Sequence, residues 1–224
     1  PCLALPIDTT LKSKHKKLTK TILTINRVKE NSMPNGVELI HQMNQNERKK
    51  FLVLSAGTPN ISHIYELTNN IKLLYCDRYK IDFIFESIDM ESNGSAYIKP
   101  TIVKKYLADY DYVMWMNTDA WFNDFSVNIL DKINKFGGED AYFFICRDRL
   151  NVDKPMCWLL CYINAGVFIV KNCARGFQLL DDWEKSFENK DLKSALTAAV
   201  NLWDQPFLCG LLFFAPEYKK GVSI

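Results

Sequence analysis

Histidine is scarce in this sequence, and no cysteine or histidine spacing is typical of a zinc site. The chain also lacks a GxGxxG motif and a Walker motif, so nothing indicates a glycine-rich cradle for phosphate. No apolar run is long enough to cross a bilayer, and the first residues lack the pattern of a signal peptide. These absences disfavour a zinc protein and a flavodoxin-like or Rossmann-like cofactor enzyme, and they predict no transmembrane segment in this chain.

The chain also lacks a large excess of positive or negative charge. The chain has 28 lysine and arginine residues against 26 acidic residues, and this net charge of +2 does not suggest a nucleic-acid partner. The one basic cluster, residues 12–20, is expected to be a solvated segment. We expect a cytoplasmic location. The alternative is a luminal domain trimmed from its anchor, with which the sequons at Asn60 and Asn93 are consistent.

The seven cysteines are scattered, and their odd number argues against a complete disulfide framework. Four of them lie in apolar runs where we expect buried free thiols: Cys146, Cys157, Cys161 and Cys209. The 224 residues, 48% of them hydrophobic and 24% charged, are enough for one large globular domain. Composition therefore predicts a soluble domain in a reducing compartment.

Strand and helix patterns alternate from residue 51 onward. Apolar runs typical of buried strands alternate with apolar residues at helical spacing. Two successive β-α-β units predict parallel strands in an α/β sheet. The strands are expected at 51–57, 81–86, 112–116, 141–146 and 162–170. The helices are expected at 60–79 (capped by Thr58 or Asn60), 97–107, 128–135 and 172–188, and from 203 onward.

The strand at 112–116 ends abruptly in Asn117, Thr118 and Asp119. In an open α/β sheet, ligands bind beyond the carboxyl ends of the strands. A carboxylate beside an amide and a hydroxyl offers oxygen ligands to a hard cation, and polar contacts to a sugar or phosphate. The alternative is that Asp119 only caps the segment that follows.

Several other residues each have a functional and a structural interpretation. Lys99 lies at the start of a helix that follows a strand; a solvated lysine is the alternative. Gly166 lies inside a strand pattern, where glycine often marks the close approach of a ligand or of another backbone. Asp204 is expected to cap the last helix, which leaves open whether it also serves a site. Trp115 and Trp121 are expected in the core or in the wall of the site.

Four blocks in this order resemble the nucleotide-sugar glycosyltransferases of the GT-A fold, and most closely glycosyltransferase family 34, a group of galactosyl-, xylosyl- and mannosyltransferases. The blocks, spread over about residues 50–214, are Phe51 to Gly57, then Tyr97-Ile-Lys-Pro-Thr-Ile, then Tyr112-Val-Met-Trp-Met-Asn-Thr-Asp-Ala, and finally Ile163-Asn-Ala-Gly-Val-Phe-Ile-Val-Lys-Asn-Cys with Leu-Leu-Asp-Asp-Trp and Trp203-Asp-Gln after it. The order and spacing of the blocks carry the resemblance.

The resemblance implies an α/β protein of GT-A type, with a mostly parallel twisted sheet flanked by helices. It implies a single domain over residues 1–224, in which 1–49 form an N-terminal extension, 50–120 a nucleotide-binding half and 121–224 an acceptor and sugar half. The implied activity moves a sugar from a UDP-sugar of the glucose, galactose or xylose class to a hydroxyl of a glycan or glycoprotein acceptor, assisted by Mn²⁺ or Mg²⁺. A glycan-building enzyme of a large virus or a microbe would fit a cytoplasmic location.

The resemblance also assigns roles to residues. The metal ligands would be Asp119 and Asn117, and Thr118 would face the ribose or the metal. The donor would be bordered on its nucleoside side by Ser55, Ala56 and Gly57, and approached by Lys99. The sugar pocket would be lined by Asn164, Ala165 and Gly166. The reaction centre would be served by Asp204 and Gln205, with Asp148 as a carboxylate on the acceptor side.

Two features depart from the family. The first aspartate of its Asp-x-Asp motif is Asn117 here, and the family's histidine near the C-terminal end has no counterpart, because His63 is the last histidine of the chain. An amide oxygen can still coordinate a cation but brings no charge. A nucleotide-sugar-binding module with weak catalysis is therefore the alternative function.

Overall fold

The structure is a computed structural model that describes residues 50–88, 97–137, 140–147, 163–191 and 204–223. These residues belong to the compact unit Arg48–Ile224. Their elements, in chain order, are β1 (Phe51–Gly57), α1 (Ser62–Tyr79), β2 (Asp82–Ser87), α2 (Lys99–Leu107), β3 (Tyr112–Met116), α3 (Ile129–Phe136), β4 (Phe143–Arg147), β5 (Ile163–Lys171), α4 (Ala174–Ser186), α5 (Asp204–Phe214), α6 (Pro216–Lys219) and β6 (Val222–Ser223).

The described strands form one six-stranded sheet in the order β2-β1-β3-β5-β4-β6. β1 pairs in parallel with β2 and β3, and β4 pairs in parallel with β6. β5 is antiparallel to both of its neighbours, β3 and β4. Five strands therefore run one way and β5 runs the other, which confirms the mostly parallel sheet. The reversal brings the amino end of β5 to the edge where β1 and β3 end.

Helices cover both faces of the sheet. Alternate residues of β1 belong to different core clusters: Phe51 and Val53 pack with α1, and Leu52 and Leu54 pack on the opposite face. That opposite face is covered by α2, α4 and α5, which contribute Val103, Leu107, Leu179, Leu180, Trp183, Phe207 and Leu208. A strand that is buried on both sides has no polar face, which is why residues 51–56 read as a nearly continuous apolar run.

Three helices, α1, α2 and α4, start two residues later than the sequence predicts. The helix expected to start at Asn60 starts at Ser62, after a 3-10 turn at Pro59–Ile61. Neither Thr58 nor Asn60 caps α1, because the Thr58 hydroxyl hydrogen-bonds the side-chain oxygen of Asn60 instead. The helix expected over 172–188 is shorter, because Cys173 is still extended, with φ −159° and ψ 164°.

The cysteine prediction holds in part. Cys209 is buried as expected, but Cys146 is exposed, because the last two residues of β4 lie on the solvent side. Cys157 and Cys161 lie outside the described residues. None of the described helices combines the length and the apolar content that crossing a bilayer requires.

Candidate functional site at the carboxyl edge of the sheet

Two segments that are far apart in sequence meet where β3 ends and β5 begins. Met116 pairs with Val167 in the antiparallel register, and the backbone N–H of Asn117 donates to the carbonyl of Gly166 over 2.8 Å. The strand-end residues Asn117–Asp119 therefore lie beside the strand-start residues Asn164–Gly166. The antiparallel direction of β5 is the cause, since a parallel β5 would put its first residues at the opposite edge.

Asn117 is held by three neighbours. Its side-chain oxygen accepts a hydrogen bond from the Trp115 indole N–H at 2.9 Å. Its backbone carbonyl accepts from the Lys72 ammonium at 2.9 Å and from the Ala120 N–H at 3.1 Å. An amide oxygen has two lone pairs, so the side-chain oxygen of Asn117 retains the capacity for a further ligand.

The carbonyls on either side of Asn117 are held as well. The Ser55 hydroxyl donates to the Met116 carbonyl at 2.6 Å, and the Thr68 hydroxyl donates to the Thr118 carbonyl. Ser55 is fully buried, so its side chain serves this backbone contact. The turn that carries Asp119 is thus fixed from β1 and α1.

Asp119 is exposed at this edge and offers a carboxylate to solvent. Its charge acts on Lys72, whose side chain on α1 has 0% of its surface exposed. Burial lowers the pKa of Lys72 to about 8, and the negative charge of Asp119 opposes that shift. Lys72 therefore remains mostly protonated at pH 7 and places a positive charge beneath the turn.

The described residues include no cluster of three or more His, Cys, Asp or Glu side chains that could hold a metal ion by themselves. The oxygen donors of the turn are the Asp119 carboxylate and the Asn117 amide. This donor set fits a hard cation such as Mg²⁺ or Mn²⁺ that takes its remaining oxygens from a bound diphosphate and from water.

An ion pair between two helix starts lies next to this turn. The Lys99 ammonium is 2.8 Å from Oδ2 of Asp204, and the two residues are only 7% and 4% exposed. Burial raises the pKa of Asp204, and the charge of Lys99 acts against that rise. The alternative of a solvated Lys99 is therefore wrong.

Ala165 is fixed at both backbone groups by the predicted site residues. The Lys99 ammonium donates to its carbonyl at 3.2 Å, and the Gln205 side-chain oxygen accepts from its N–H at 2.9 Å. Trp183 supports the start of α5, because its indole N–H donates to the Asp204 carbonyl at 3.1 Å. The start of α5, the start of α2 and the entrance of β5 thus form one connected unit.

Two glycines of the site lie against side chains that leave little room for a Cβ. A Cβ on Gly57 would lie 2.7 Å from Cγ2 of Thr118. A Cβ on Gly166 would lie 2.8 Å from the side-chain oxygen of Asn164, which accepts the Gly166 N–H at 2.8 Å, and 3.1 Å from Nδ2 of Asn117. The distances of 2.7 Å and 2.8 Å are shorter than the contacts that a Cβ makes in proteins. The close approach expected at Gly166 is therefore an approach of protein side chains.

The structure brings most of the expected site residues to one edge: the ends of β1 and β3, the entrance of β5, Lys99, Asp204 and Gln205. Asp148 lies outside the described residues, and its role stays a prediction. Trp115 is buried as expected, whereas Trp121 is 53% exposed and does not belong to the core. Thr68 and Lys72 were not predicted as site residues, although their spacing of four places them on one face of α1 with the buried Cys76.

No family model matches the chain. A curated relative, xyloglucan 6-xylosyltransferase 4 of Arabidopsis thaliana, is 23% identical over 148 residues, which make up 62% of this chain and 28% of that protein. The chain therefore matches less than a third of that relative's length.

Solved structures match more of the chain. A glycosyltransferase involved in the glycosylation of the major capsid of PBCV-1 has a TM-score of 0.56 and 13% identity, covering 75% of this chain and 77% of that one. The galactosyltransferase LgtC, in complex with donor and acceptor sugar analogs, has a TM-score of 0.50 and 16% identity, with coverages of 77% and 72%.

The fold of this chain is similar to that of these two glycosyltransferase structures, which confirms the GT-A architecture expected from the sequence. The xylosyltransferase relative agrees with the likeness to family 34.

Proposed function

We propose that this protein is a glycosyltransferase that moves a sugar from a UDP-sugar to a hydroxyl of a glycan or glycoprotein, assisted by Mn²⁺ or Mg²⁺. The observation that carries the proposal is the convergence of the Asp119 turn, the entrance of β5 and the Lys99–Asp204 pair at one edge of a GT-A sheet. The xylosyltransferase relative and the galactosyltransferase neighbour support a donor of the UDP-xylose, glucose or galactose class.

The donor diphosphate binds at the turn that follows β3. Asp119 and the amide oxygen of Asn117 would hold the cation together with oxygens of the diphosphate. A cation held there would supply stabilisation of the negative charge on the β-phosphate as UDP leaves. The buried ammonium of Lys72 adds a fixed positive charge beneath the same turn.

The sugar lies at the entrance of β5. The Asn164 side chain is exposed there, and Gln205 and Lys99 fix the backbone of Ala165 from both sides. Asp204 is buried and its carboxylate is paired with the Lys99 ammonium, so it is held by the protein and is not presented to an acceptor. The Lys99–Asp204 pair therefore orients the sugar pocket, and the acceptor-side carboxylate is assigned to Asp148.

Calorimetric titration with UDP, with and without Mn²⁺, tests this function. The wild-type protein is expected to bind UDP at least about 10-fold more tightly with Mn²⁺, and Asp119→Ala is expected to lose that gain, because one carboxylate is removed from a small oxygen ligand set. The matched control is Asp109→Ala, since Asp109 is exposed and precedes β3 at the opposite edge of the sheet. No UDP binding by the wild-type protein would overturn the proposal.

A second candidate function is a nucleotide-sugar-binding module with weak catalysis. The neutral Asn117, which leaves Asp119 as the single charged ligand of the turn, favours this candidate. Tight UDP binding without turnover of any UDP-sugar supports the module. Turnover of one UDP-sugar, with or without an acceptor, excludes it.

A further inference from the structure

We propose that Thr68 and Lys72 of α1 are positioning residues for the donor site, which hold the Asp119 turn in the conformation that binds a cation and a diphosphate. This inference rests on the proposed function and assigns a role to two residues that touch neither the donor nor the acceptor directly.

Side chains of β1 and α1 hold the backbone of the turn. The carbonyls of three successive residues, Met116, Asn117 and Thr118, each accept a hydrogen bond from a side chain of β1 or α1. Two of the three donors, Thr68 and Lys72, lie one helical turn apart on the buried face of α1. The turn thus has its carbonyl oxygens directed into the protein, away from the place where the negative diphosphate would bind.

Burial of Lys72 costs free energy. An ammonium with no exposed surface is expensive, and an apolar side chain of similar length would fill the same space at a lower free energy. The lysine makes one described hydrogen bond, to the carbonyl of Asn117, and its charge attracts Asp119. A buried cation with this hydrogen bond and this attraction is suited to fixing the turn and its carboxylate. Packing of the core alone would not require a charge at this position.

Lys72 donates its hydrogen bond to Asn117, a residue of the predicted metal site. Asn117 stands where the Asp-x-Asp motif has its first aspartate. Its side-chain oxygen accepts a hydrogen bond from the Trp115 indole N–H. The ammonium, the indole and the Ala120 N–H together leave the backbone and side chain of Asn117 in one arrangement. Removal of the ammonium would leave the Asn117 carbonyl with the Ala120 N–H as its one described donor and would loosen the turn.

The experiment compares Lys72→Met, Thr68→Val and Thr68→Ser with the wild-type protein. UDP affinity with Mn²⁺ is measured by calorimetry, KM and kcat by hydrolysis of the UDP-sugar in water, and folding by urea denaturation. Lys72→Met and Thr68→Val are expected to weaken UDP binding about 10- to 100-fold, the usual effect of losing a residue that orients a metal ligand. Thr68→Ser keeps the hydroxyl and is expected to recover most of the affinity that Thr68→Val loses.

Matched controls separate positioning from stability. Thr101→Val and Lys104→Met remove the same chemical groups from α2, where Thr101 bonds Glu184 and Lys104 pairs with Asp181 and Glu184. These variants are expected to change the free energy of unfolding without changing UDP affinity. The donor KM is expected to rise in the α1 variants while kcat changes less.

Three outcomes decide the inference. If Lys72→Met folds and binds UDP as tightly as the wild type does, the inference is overturned. If Lys72→Met does not fold, the inference is overturned when Thr68→Val and Thr68→Ser bind UDP with the same affinity as each other. Weakened UDP binding in the α1 variants alone supports it. Absence of UDP binding in the wild-type protein overturns the proposed function and this inference with it, so the two failures are distinguishable.

Discussion

The ammonium of Lys99 lies 2.8 Å from the carboxylate of Asp204, and this pair joins the first residue of α2 to the first residue of α5. The positive end of a helix dipole disfavours a lysine at such a position and favours an aspartate. The pair therefore keeps Lys99 buried at a helix start, where it also reaches the carbonyl of Ala165.

Breaking this pair from one side should destabilise the fold strongly. Lys99→Met or Asp204→Asn alone is expected to lower the free energy of unfolding by about 3–5 kcal/mol, because each leaves an uncompensated buried partner. The double variant should lose clearly less than the sum of the two single variants. Urea denaturation of the four proteins gives the coupling energy.

The exposed pair Lys80–Asp77, with 68% and 83% of the side chains exposed, is the matched control. Its coupling is expected to be below about 1 kcal/mol. A coupling for Lys99 and Asp204 as small as that of the control would contradict the account. Turnover of a UDP-sugar should stay low in the double variant even where its stability recovers, because the contact with Ala165 is gone.

The end of β1 should tolerate no side chain at residue 57. Gly57→Ala is expected to weaken UDP binding and to destabilise the protein by about 1–3 kcal/mol, since its Cβ would lie 2.7 Å from Cγ2 of Thr118. Thr118→Ser removes that methyl group, so the double variant should recover much of the loss. Additive effects of the two substitutions would show that the contact with Thr118 is not the cause.

The buried thiol of Cys76 should make the protein less stable at high pH. Burial raises the pKa of Cys76 from 9.0 to about 12, so between these values the unfolded chain releases a proton that the folded chain keeps. Stability is therefore fully present below pH 9 and decreases as the pH rises toward 12.

Cys76→Ala should remove this part of the pH dependence. Between pH 7 and pH 10.5 the wild type is expected to lose about 2 kcal/mol more than the variant, in unfolding free energies from urea titrations. Cys146→Ala, at an exposed thiol, should behave as the wild type at both pH values. An equal loss in wild type and Cys76→Ala would disprove the assignment.

A second carboxylate on the turn should strengthen cation binding. Asn117→Asp adds a charged oxygen ligand beside Asp119, and Mn²⁺ affinity in the presence of UDP is expected to rise about 10-fold, because ligand charge tunes the affinity of hard cations. Electron paramagnetic resonance of free Mn²⁺ measures this directly. Asn134→Asp, on the exposed face of α3, adds the same charge elsewhere and should leave the affinity unchanged.

The strands were the most predictable part of the fold. β1 and β3 have the predicted bounds, because their apolar runs are buried on both faces and end at Gly57 and at the polar Asn117. The direction of β5 could not be predicted, because alternation of apolar residues is the same in parallel and antiparallel strands. Because β5 is antiparallel to β3, Gly166 lies beside Asn117 and accepts its backbone hydrogen bond.

The candidate site was predictable where it follows strand ends and hidden where it depends on long-range contacts. Asp119 and Asn164 could be chosen from local patterns, whereas the pairing of Lys99 with Asp204 joins two helix starts that no local pattern relates. Lys72 was missed because lysine is almost always exposed, and only its position on the buried face of α1 marks it.

Release of UDP from a panel of UDP-sugars, with and without Mn²⁺ and glycan acceptors, tests the central claim most directly. The account predicts that wild-type protein releases UDP from one sugar class in a Mn²⁺-dependent way, and that Asp119→Ala reduces the rate by about 100-fold or more, as loss of a ligand that places charge at the leaving group should. Asp109→Ala should match the wild type. Release of no UDP from any sugar, or an unchanged rate in Asp119→Ala, would contradict it.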